Sequence, residues 1–459
     1  MATTVAADAS RRELDDLQKL VALCKRRGFV FPSADIYGGF ANTYDYGPLG
    51  VLLKNNVRDA WIRSTIQRRD DVELLDAALI TSPKVWVASG HVAEFNDPLV
   101  QCLGECKSRY RADQVDTAKC PNCGGPLSEP RMFNTMFRTQ VGPVADEENI
   151  AYLPPETAQG IFVNFANVAT TMRRKLPFGI AQVRKSFRNE ITPGNFVFRT
   201  LEFEQMELEY FVEPGTDEEW FERWVDLREQ WYLELGIRAD NLRRFEHPRD
   251  KLSHYSKRTI DIEYRFPFGE GWGELEGIAN RSKGPDGTSW DLWQHEQHSG
   301  QRLTVFDDDK KQHIRPGVVE PAAGLTRAAL TFLIDAYEEQ VLNAEKNDVR
   351  TVLHLHPALA PYKVCVLPLY RKPDLVRVAR DVYEELRKRW MITYDSGSNI
   401  GKLYRRQDEI GTPFCITVDF QTLEDNRVTI RDRDSLDQAL FGRVPIDELR
   451  GWLEVHLDF

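Results

Sequence analysis

The sequence predicts an α+β fold for residues 1–347 and a separate α/β domain for residues 348–459. Three patterns carry this division. TIDIEYRF, residues 259–266, alternates without a break, with Ile260, Ile262, Tyr264 and Phe266 on one face and Asp261, Glu263 and Arg265 on the other. That is the pattern of an antiparallel strand covered on one side only. FRNEITPGNFVFRTLEFEQMELEY, residues 187–210, reads as two charge-rich apolar runs hinged on Pro193-Gly194, a β-hairpin. Past the polar stretch EKNDVR, strand-like runs at TVLHLH, MITYD, FCITVDF and VTIRD alternate with helical patterns near 374–389, 400–408 and 435–440.

Taken in chain order, residues 11–27 place Leu14, Leu17, Val21 and Cys24 at helical spacing, and Gly28 supplies the stop. A second helix is predicted from Gly50 to about Arg69, followed by an extended run through VELLDAALI to Pro83. Residues 102–130 form a Cys-rich insertion. TAQGIFVNFANVATTMRRK predicts a helix leading into the hairpin, and 217–235 predicts another, with Trp220, Trp224, Leu227 and Trp231 as a core stripe.

Hydrophobic residues at 42% and charged residues at 29% are those of a globular protein that can fill a core. Residues 1–13 lack the apolar core of a secretory leader and no 18-residue apolar run follows, so a cytoplasmic, non-membrane protein is expected. The net charge of −11 argues against binding nucleic acid by bulk charge, but leaves room for a local basic track. Two runs qualify: Arg173, Arg174, Lys175, Arg184, Lys185 and Arg188, then Lys402, Arg405, Arg406, Arg427, Arg431 and Arg433. Either also fits a set of solvated faces.

Of seven cysteines, Cys102, Cys106, Cys120 and Cys123 cluster in QCLGECKSRYRADQVDTAKCPNCGG. CPNCGG is a knuckle in which a tight turn aims two thiolates at one ion, so the four are a candidate structural Zn²⁺ site. The first pair is separated by three residues rather than two, and a knuckle with free thiols stays open as a reading. His295 and His298 of HEQH, three apart, offer two ligands with no further partners nearby in sequence. A polar loop or helix end explains them better.

Strand parity sorts the charge of the hairpin. Gln182, Arg184, Ser186, Arg188 and Glu190 share one face of the first strand; Phe203, Gln205, Glu207 and Glu209 share a face of the second, with Met206, Leu208 and Tyr210 behind. Such a face is either solvated or a ligand surface. An Arg fork suits phosphate oxygens, an aromatic ring suits a base, and carboxylates suit an ammonium or Mg²⁺. With no GxxxxGK[ST] loop in the chain, phosphate would have to be gripped by Arg side chains.

The run FRNE, loop, FRTLEFEQMELEY resembles motif 2 of the class II aminoacyl-tRNA synthetases, in the form found in the homodimeric glycyl family. RRGFVFPSADIYGG, YDYGPLGVLLKNNVRDAW, PETAQGIFVNF, LSHYSKRTIDIEYRFPFG, WGELEGIANR, EPAAGLTR, HPALAPYKV and YRRQDEIGTPFCITVDF extend the resemblance over roughly residues 18–459. It implies a catalytic domain at 1–347 built as an antiparallel sheet flanked by helices, and an anticodon-binding domain at 348–459. Gly50 to Pro83 resembles motif 1, which in the family builds a dimer interface, and GLTRAALTFL resembles motif 3.

Carried over by resemblance, Arg188 takes the α-phosphate of ATP, Arg327 the γ-phosphate, and Glu274 acts through Mg²⁺; these are the catalytic candidates. Asn189, Glu190, Phe198, Arg199, Thr200, Leu201, Glu202, Phe203, Leu275, Gly324, Leu325 and Thr326 complete the ATP set. For glycine the matching positions are Arg111, Glu156, Phe203, Glu204, Gln205, Met206, Glu207, Glu320, Pro321, Ala322, Ala323 and Gly324. The partners implied are ATP, glycine, tRNA(Gly) and a second copy of the chain.

The sequence departs from the family pattern at Pro154, where Arg usually precedes PETAQG, and at Ala322 and Thr326, where EPS…GxDR is usual. The Ala322 and Thr326 changes leave open a synthetase for another small amino acid, and a different class of alternative is a catalytically silent nucleic-acid-binding relative. Retention of Arg188 and Arg327 speaks against the second.

Overall fold

A computed structural model describes residues 11–144, 149–346, 348–438 and 440–457. Residues 1–10, on which the expectation about a secretory leader rests in part, lie outside the described residues. A seven-stranded sheet organises the first domain, in the order Leu242–Glu246, Arg258–Arg265, Trp272–Asn280, Gly317–Gly324, Glu202–Val212, Phe178–Phe187 and Val72–Leu74. All neighbours pair antiparallel except the last.

The hairpin forms as its parity predicts. Gln182 pairs with Glu207, Arg184 with Gln205 and Ser186 with Phe203, so the two polar faces become one. Behind them, Met206, Leu208 and Tyr210 are buried with Ile260, Ile262 and Tyr264 under helices Pro48–Ile62, Asp217–Glu234 and Leu325–Ala336. Each such side chain contributes about 1.5–3 kcal/mol on burial, which holds the sheet to its helices and fixes which face is left for chemistry. Helices Ala158–Thr171 and Trp290–Ser299 cover only one end of the polar face, around Phe178 and Phe211, and the remainder lines a cavity.

Several elements differ from the sequence reading. Asp16 caps the first helix, its side chain accepting from Gln18 N at 2.9 Å, so the helix begins at Leu17 and excludes Leu14. Arg11–Glu13 instead adds a strand to Tyr337–Asn343. Of VELLDAALI only Val72–Leu74 is a strand, because only those residues find a partner at Gly179–Ala181. Leu227 is 39% exposed: the buried stripe of its helix centres on Phe221, Trp224 and Arg228, about 100° around the helix from Leu227 at 3.6 residues per turn.

In the second domain Val364–Pro368 pairs parallel with Thr393–Tyr394 and Phe414–Val418, and Arg427–Asp432 and Arg443–Pro445 extend the sheet antiparallel. Helices Pro373–Leu386 and Ile400–Asp408 stand where the periodicity places them. The helix expected near 435–440 is absent among the described residues of that stretch, which form turns and irregular backbone. A terminal helix, Leu449–Leu457, packs its Leu449, Leu453 and Leu457 into the domain core instead.

TVLHLH does not join that second sheet. Asp348–Leu353 pairs antiparallel with Tyr337–Asn343, and Leu353, Leu355 and Leu359 pack into the core of the first domain. Residue 348 therefore lies inside a hairpin. Arg350, 1% exposed, rivets this hairpin to the second domain, donating to Asp408 at 2.8 Å, Gln340 at 2.6 Å and the Arg433 carbonyl at 2.7 Å.

The two basic runs are not free tracks. Arg174 pairs with Glu73, Lys185 with Glu202, Arg405 with Asp348 and Arg406 with Asp395, while Arg431 and Arg433 are buried against Asp408 and Asp434.

Candidate active site

A cavity of about 310 Å³ opens on the uncovered part of the seven-stranded sheet. Its mouth is cationic. Arg188 follows the end of strand Phe178–Phe187; its backbone N–H donates to the Leu201 carbonyl at 2.9 Å and its Nε to the Pro155 carbonyl at 2.9 Å. Its guanidinium lies 5.4 Å from the centroid of the Phe203 ring. Arg327 projects from the first turn of Leu325–Ala336, donating from Nη1 to the Glu274 carbonyl at 3.0 Å and lying 3.2 Å from its Oε1. Its guanidinium also stacks 4.5 Å from the Phe198 ring, which Phe266 and Phe268 hold edge-on. Arg327 first, then Arg188 and Arg199, hold the Glu274 carboxyl below its ordinary range. Three guanidiniums around one ionised carboxylate can grip phosphate oxygens and their accompanying cation together.

The floor is acidic and buried. Thr157 Oγ1 donates to Glu207, and Arg281 Nη1 donates to Glu320. The same Arg281 grips Asp291 with two bonds of 2.8 Å and lies 3.8 Å over the Tyr255 ring. Gln159 Nε2 donates to Glu156 at 3.0 Å and to Asp291 at 2.9 Å. Burial disfavours a charge on Glu156, but His91 at 3.3 Å, Arg281 and Gln159 outweigh it and hold the carboxyl well below the usual range. Glu207 moves the other way: burial first, then Glu320 and Glu156, push it well above its ordinary value. A floor of carboxylates short of cations is a receptor for a small ammonium group.

Of the predicted positions, Arg188, Glu190, Phe198, Arg199, Thr200, Phe203, Glu274, Gly324, Thr326 and Arg327 line this cavity, as do Glu156, Gln205, Glu207, Glu320 and Ala322. Others do not, and for those on the sheet's strands the reason is parity. Glu204 points to the back face, where Lys54 and Arg58 hold it, and Met206, Leu275, Ala323 and Leu325 lie in the core behind the sheet. Leu201 accepts from Arg188 through its carbonyl, Glu202 pairs outward with Lys185, Asn189 N–H donates to the Thr135 carbonyl, and Pro321 stands opposite Ile278 in the ladder. Arg111 lies on strand Arg109–Arg111 of the insertion, paired with Asp97 at 3.1 Å and Asp113 at 2.8 Å, and does not line the cavity.

Sequence reasoning missed Arg281, His91, Thr157, Gln159 and Asp291, which set the charge of the floor, and His247 and Asp261, which pair at 2.7 Å on the cavity wall. The clean alternation of TIDIEYRF signals Asp261; nothing local signals His91, which reaches the floor from a short helix at His91–Glu94. His295 is a supporting residue: its Nε2 lies 2.8 Å from Gln159 Oε1, and burial lowers its ring to about 4.

In the insertion, strands Asn96–Gln101, Arg109–Arg111 and Arg131–Asn134 form a small sheet that brings the four cysteines together. Their Sγ atoms all lie within 4.8 Å of one another, with Cys102–Cys123 at 3.4 Å and Cys106–Cys120 at 3.5 Å. These separations exclude disulfides and fit thiolates about 2.3 Å from a shared tetrahedral ion. Gly124, at φ 69°, supplies the left-handed turn of the knuckle.

An antiparallel sheet carrying this Arg-lined cavity beside a separate mixed α/β domain defines a class II aminoacyl-tRNA synthetase. Consistently, residues 137–316 match the family described as tRNA synthetase class II core domain (G, H, P, S and T), and residues 363–456 match the anticodon binding domain. The chain is 54% identical to the glycine–tRNA ligase of Thermobifida fusca, over 96% of this chain and 98% of that protein. It is 55% identical to that of Cutibacterium acnes, over 95% of each, and 53% identical to that of Streptomyces coelicolor, over 96% and 99%. The chain belongs to the glycine–tRNA ligase family.

Proposed function

We propose that the protein joins glycine to ATP as glycyl-adenylate, releasing pyrophosphate, and passes the glycyl group to the 3′-terminal ribose of tRNA(Gly), releasing AMP. The observation that carries this is the polarity of one cavity, with guanidiniums at its mouth and carboxylates at its floor. Glycine's ammonium fits against Glu207, Glu156 and Glu320, which leaves its carboxylate facing the mouth. That carboxylate is ionised at pH 7, so activation requires positioning and charge screening rather than a general base. Arg188 stabilises the α-phosphoryl group, Arg327 holds the far phosphates, and Phe203 supplies a face for the adenine. Mg²⁺ enters with ATP, and the half-exposed Glu274 carboxylate is placed to receive it. Any amino acid larger than glycine must displace wall atoms, a penalty that can exceed the ~1–3 kcal/mol of a missing methylene contact.

The second domain reads the anticodon, and the functional seam falls near residue 363: strand 348–353 belongs to the first domain by pairing and packing, and the anticodon-domain match begins at 363. Motif 1, running from helix Pro48–Ile62, joins two chains into a homodimer, and the protein works in the cytoplasm, where its substrates are; among the described residues no helix is long and apolar enough to cross a membrane. Cys102, Cys106, Cys120 and Cys123 hold a structural Zn²⁺; metal analysis should return one equivalent, and Cys120→Ser should remove it.

ATP–pyrophosphate exchange with each amino acid in turn tests the whole reading. Exchange with glycine alone is expected. Exchange with serine or alanine would assign the Ala322 departure to a changed substrate, and no exchange with any amino acid would leave only an accessory role.

A further inference from the structure

Glu209 lies one strand repeat beyond Glu207 on the same face, is fully buried, and does not reach the cavity. The register that sets Glu207 against Ala322 and Tyr210 against Val319 puts Glu209 across from Glu320. Carboxylate oxygens of Glu207, Glu209 and Glu320 lie within 4.8 Å of one another. Like charges directly opposite on neighbouring strands destabilise the pair, and here no solvent screens them.

The surrounding charges do not settle the account. Five acids, Glu156, Glu207, Glu209, Glu320 and Asp291, face Arg281, His91 and the hydroxyl of Tyr255. Arg281 is committed to Asp291 and Glu320, and His91 to Glu156. A glycine ammonium adds one positive charge. Glu207 has the Thr157 hydroxyl and Glu320 has Arg281, but neither oxygen of Glu209 has a donor. A carboxylate pair without a donor becomes a hydrogen bond once one member carries a proton.

We propose that Glu209 is a neutral carboxylic acid whose O–H donates to Glu320, making it a positioning residue that fixes the Glu320 carboxylate toward the substrate ammonium. The proposal deepens the glycine-site reading above and rests on it. Burial first, then Glu320, push the Glu209 carboxyl well above its ordinary range, in accord with this assignment. The sequence thereby places three acids around a single small cation, with Glu209 behind them, without four full charges.

Glycine-dependent exchange and thermal unfolding of the full chain test it together. Glu209→Ala should raise KM for glycine about tenfold with a smaller change in kcat, and Glu209→Gln, whose amide can donate as the acid does, should restore KM to within threefold of the parent. A group that binds its proton more tightly when folded costs the native state stability as pH rises through the window between its unfolded and folded values. The Tm gain of Glu209→Gln over the parent should therefore be larger at pH 8 than at pH 5. If Glu209→Gln raises KM as far as Glu207→Gln does, or if its Tm difference does not grow with pH, the proposal is overturned. Should Glu209→Ala not fold, Glu209→Gln carries both readouts. An unchanged glycine KM in Glu207→Gln would defeat the glycine-site reading itself, while the Tm comparison would still report on the proton of Glu209.

Discussion

In the C-terminal sheet, strands Val364–Pro368 and Phe414–Val418 are buried at every position, with helices on both faces. In the seven-stranded sheet, the hairpin strands are buried over much of their length, yet one face turns polar or ionisable at Gln182, Arg184 and Ser186 and at Gln205, Glu207 and Glu209. The first sheet is sealed by apolar contact. The second is sealed on one side by helices and on the other by charges that neutralise one another or await a ligand. Burial alone thus says little about role; what matters is whether a buried polar group has a partner. In the C-terminal domain Asp408 has Arg350 and Arg431, a closed structural network. In the catalytic domain Glu207 and Glu320 face a cavity with fewer cations than acids.

This contrast can be broken most severely at the mouth of the cavity. Arg188→Ala should lower glycine-dependent exchange about a thousandfold while leaving the unfolding midpoint near the parent's, because its loss removes charge stabilisation from the transferring phosphoryl group. A variant retaining exchange would remove Arg188 from the ATP site. Next, a chain ending after residue 362 should keep exchange and lose tRNA charging. A chain ending after 345 should lose both, since it strips Leu353, Leu355 and Leu359 from the catalytic core. Equal behaviour of the two truncations would erase the seam at 363.

At the floor, Glu207→Gln should raise KM for glycine about a hundredfold, the cost of about 2–3 kcal/mol expected when one charged hydrogen-bond partner is lost. Smallest is the effect on the back of the same strand. Glu204→Gln should leave the KM for glycine unaltered and cost about 1–3 kcal/mol of stability by leaving Lys54 and Arg58 without their partner. Burial opposes the charge of Glu204, but Lys54 and Arg58 lower its folded value below the unfolded one. Its contribution is therefore present above the unfolded value near pH 4 and is lost as pH falls through the folded one, so the cost of the substitution should shrink in that acid window in pH-dependent unfolding.

Much of the cavity is legible in the sequence. Alternation in 180–190 and 202–212 separates Gln205 and Glu207 from Met206 and Leu208, and the structure keeps that separation. The same rule, applied strictly, would have removed Glu204, Met206 and Ala323 from the glycine set, since a contiguous motif cannot point all its side chains one way. Boundaries were less legible. VELLDAALI has strand composition along its length, but strand formation needs a partner, and only Val72–Leu74 has one. TVLHLH alternates like its neighbours in sequence, yet pairs backward with Tyr337–Asn343.

What the sequence determined by itself was local and periodic: two classes of domain, the parity of the hairpin, the grouping of four cysteines, and the motifs that mark a class II synthetase. These follow from repeats of two or 3.6 residues and from short-range turn chemistry, all of which are written contiguously. Only the tertiary structure decided which charges meet. Asp291, His91 and Glu209 come from three separate elements and Arg281 follows the end of a fourth, and whether each carboxyl is charged depends on which of the others stands within a few ångströms in a dry interior. Electrostatic environment is set by distance and exclusion of water, and neither can be read along a chain.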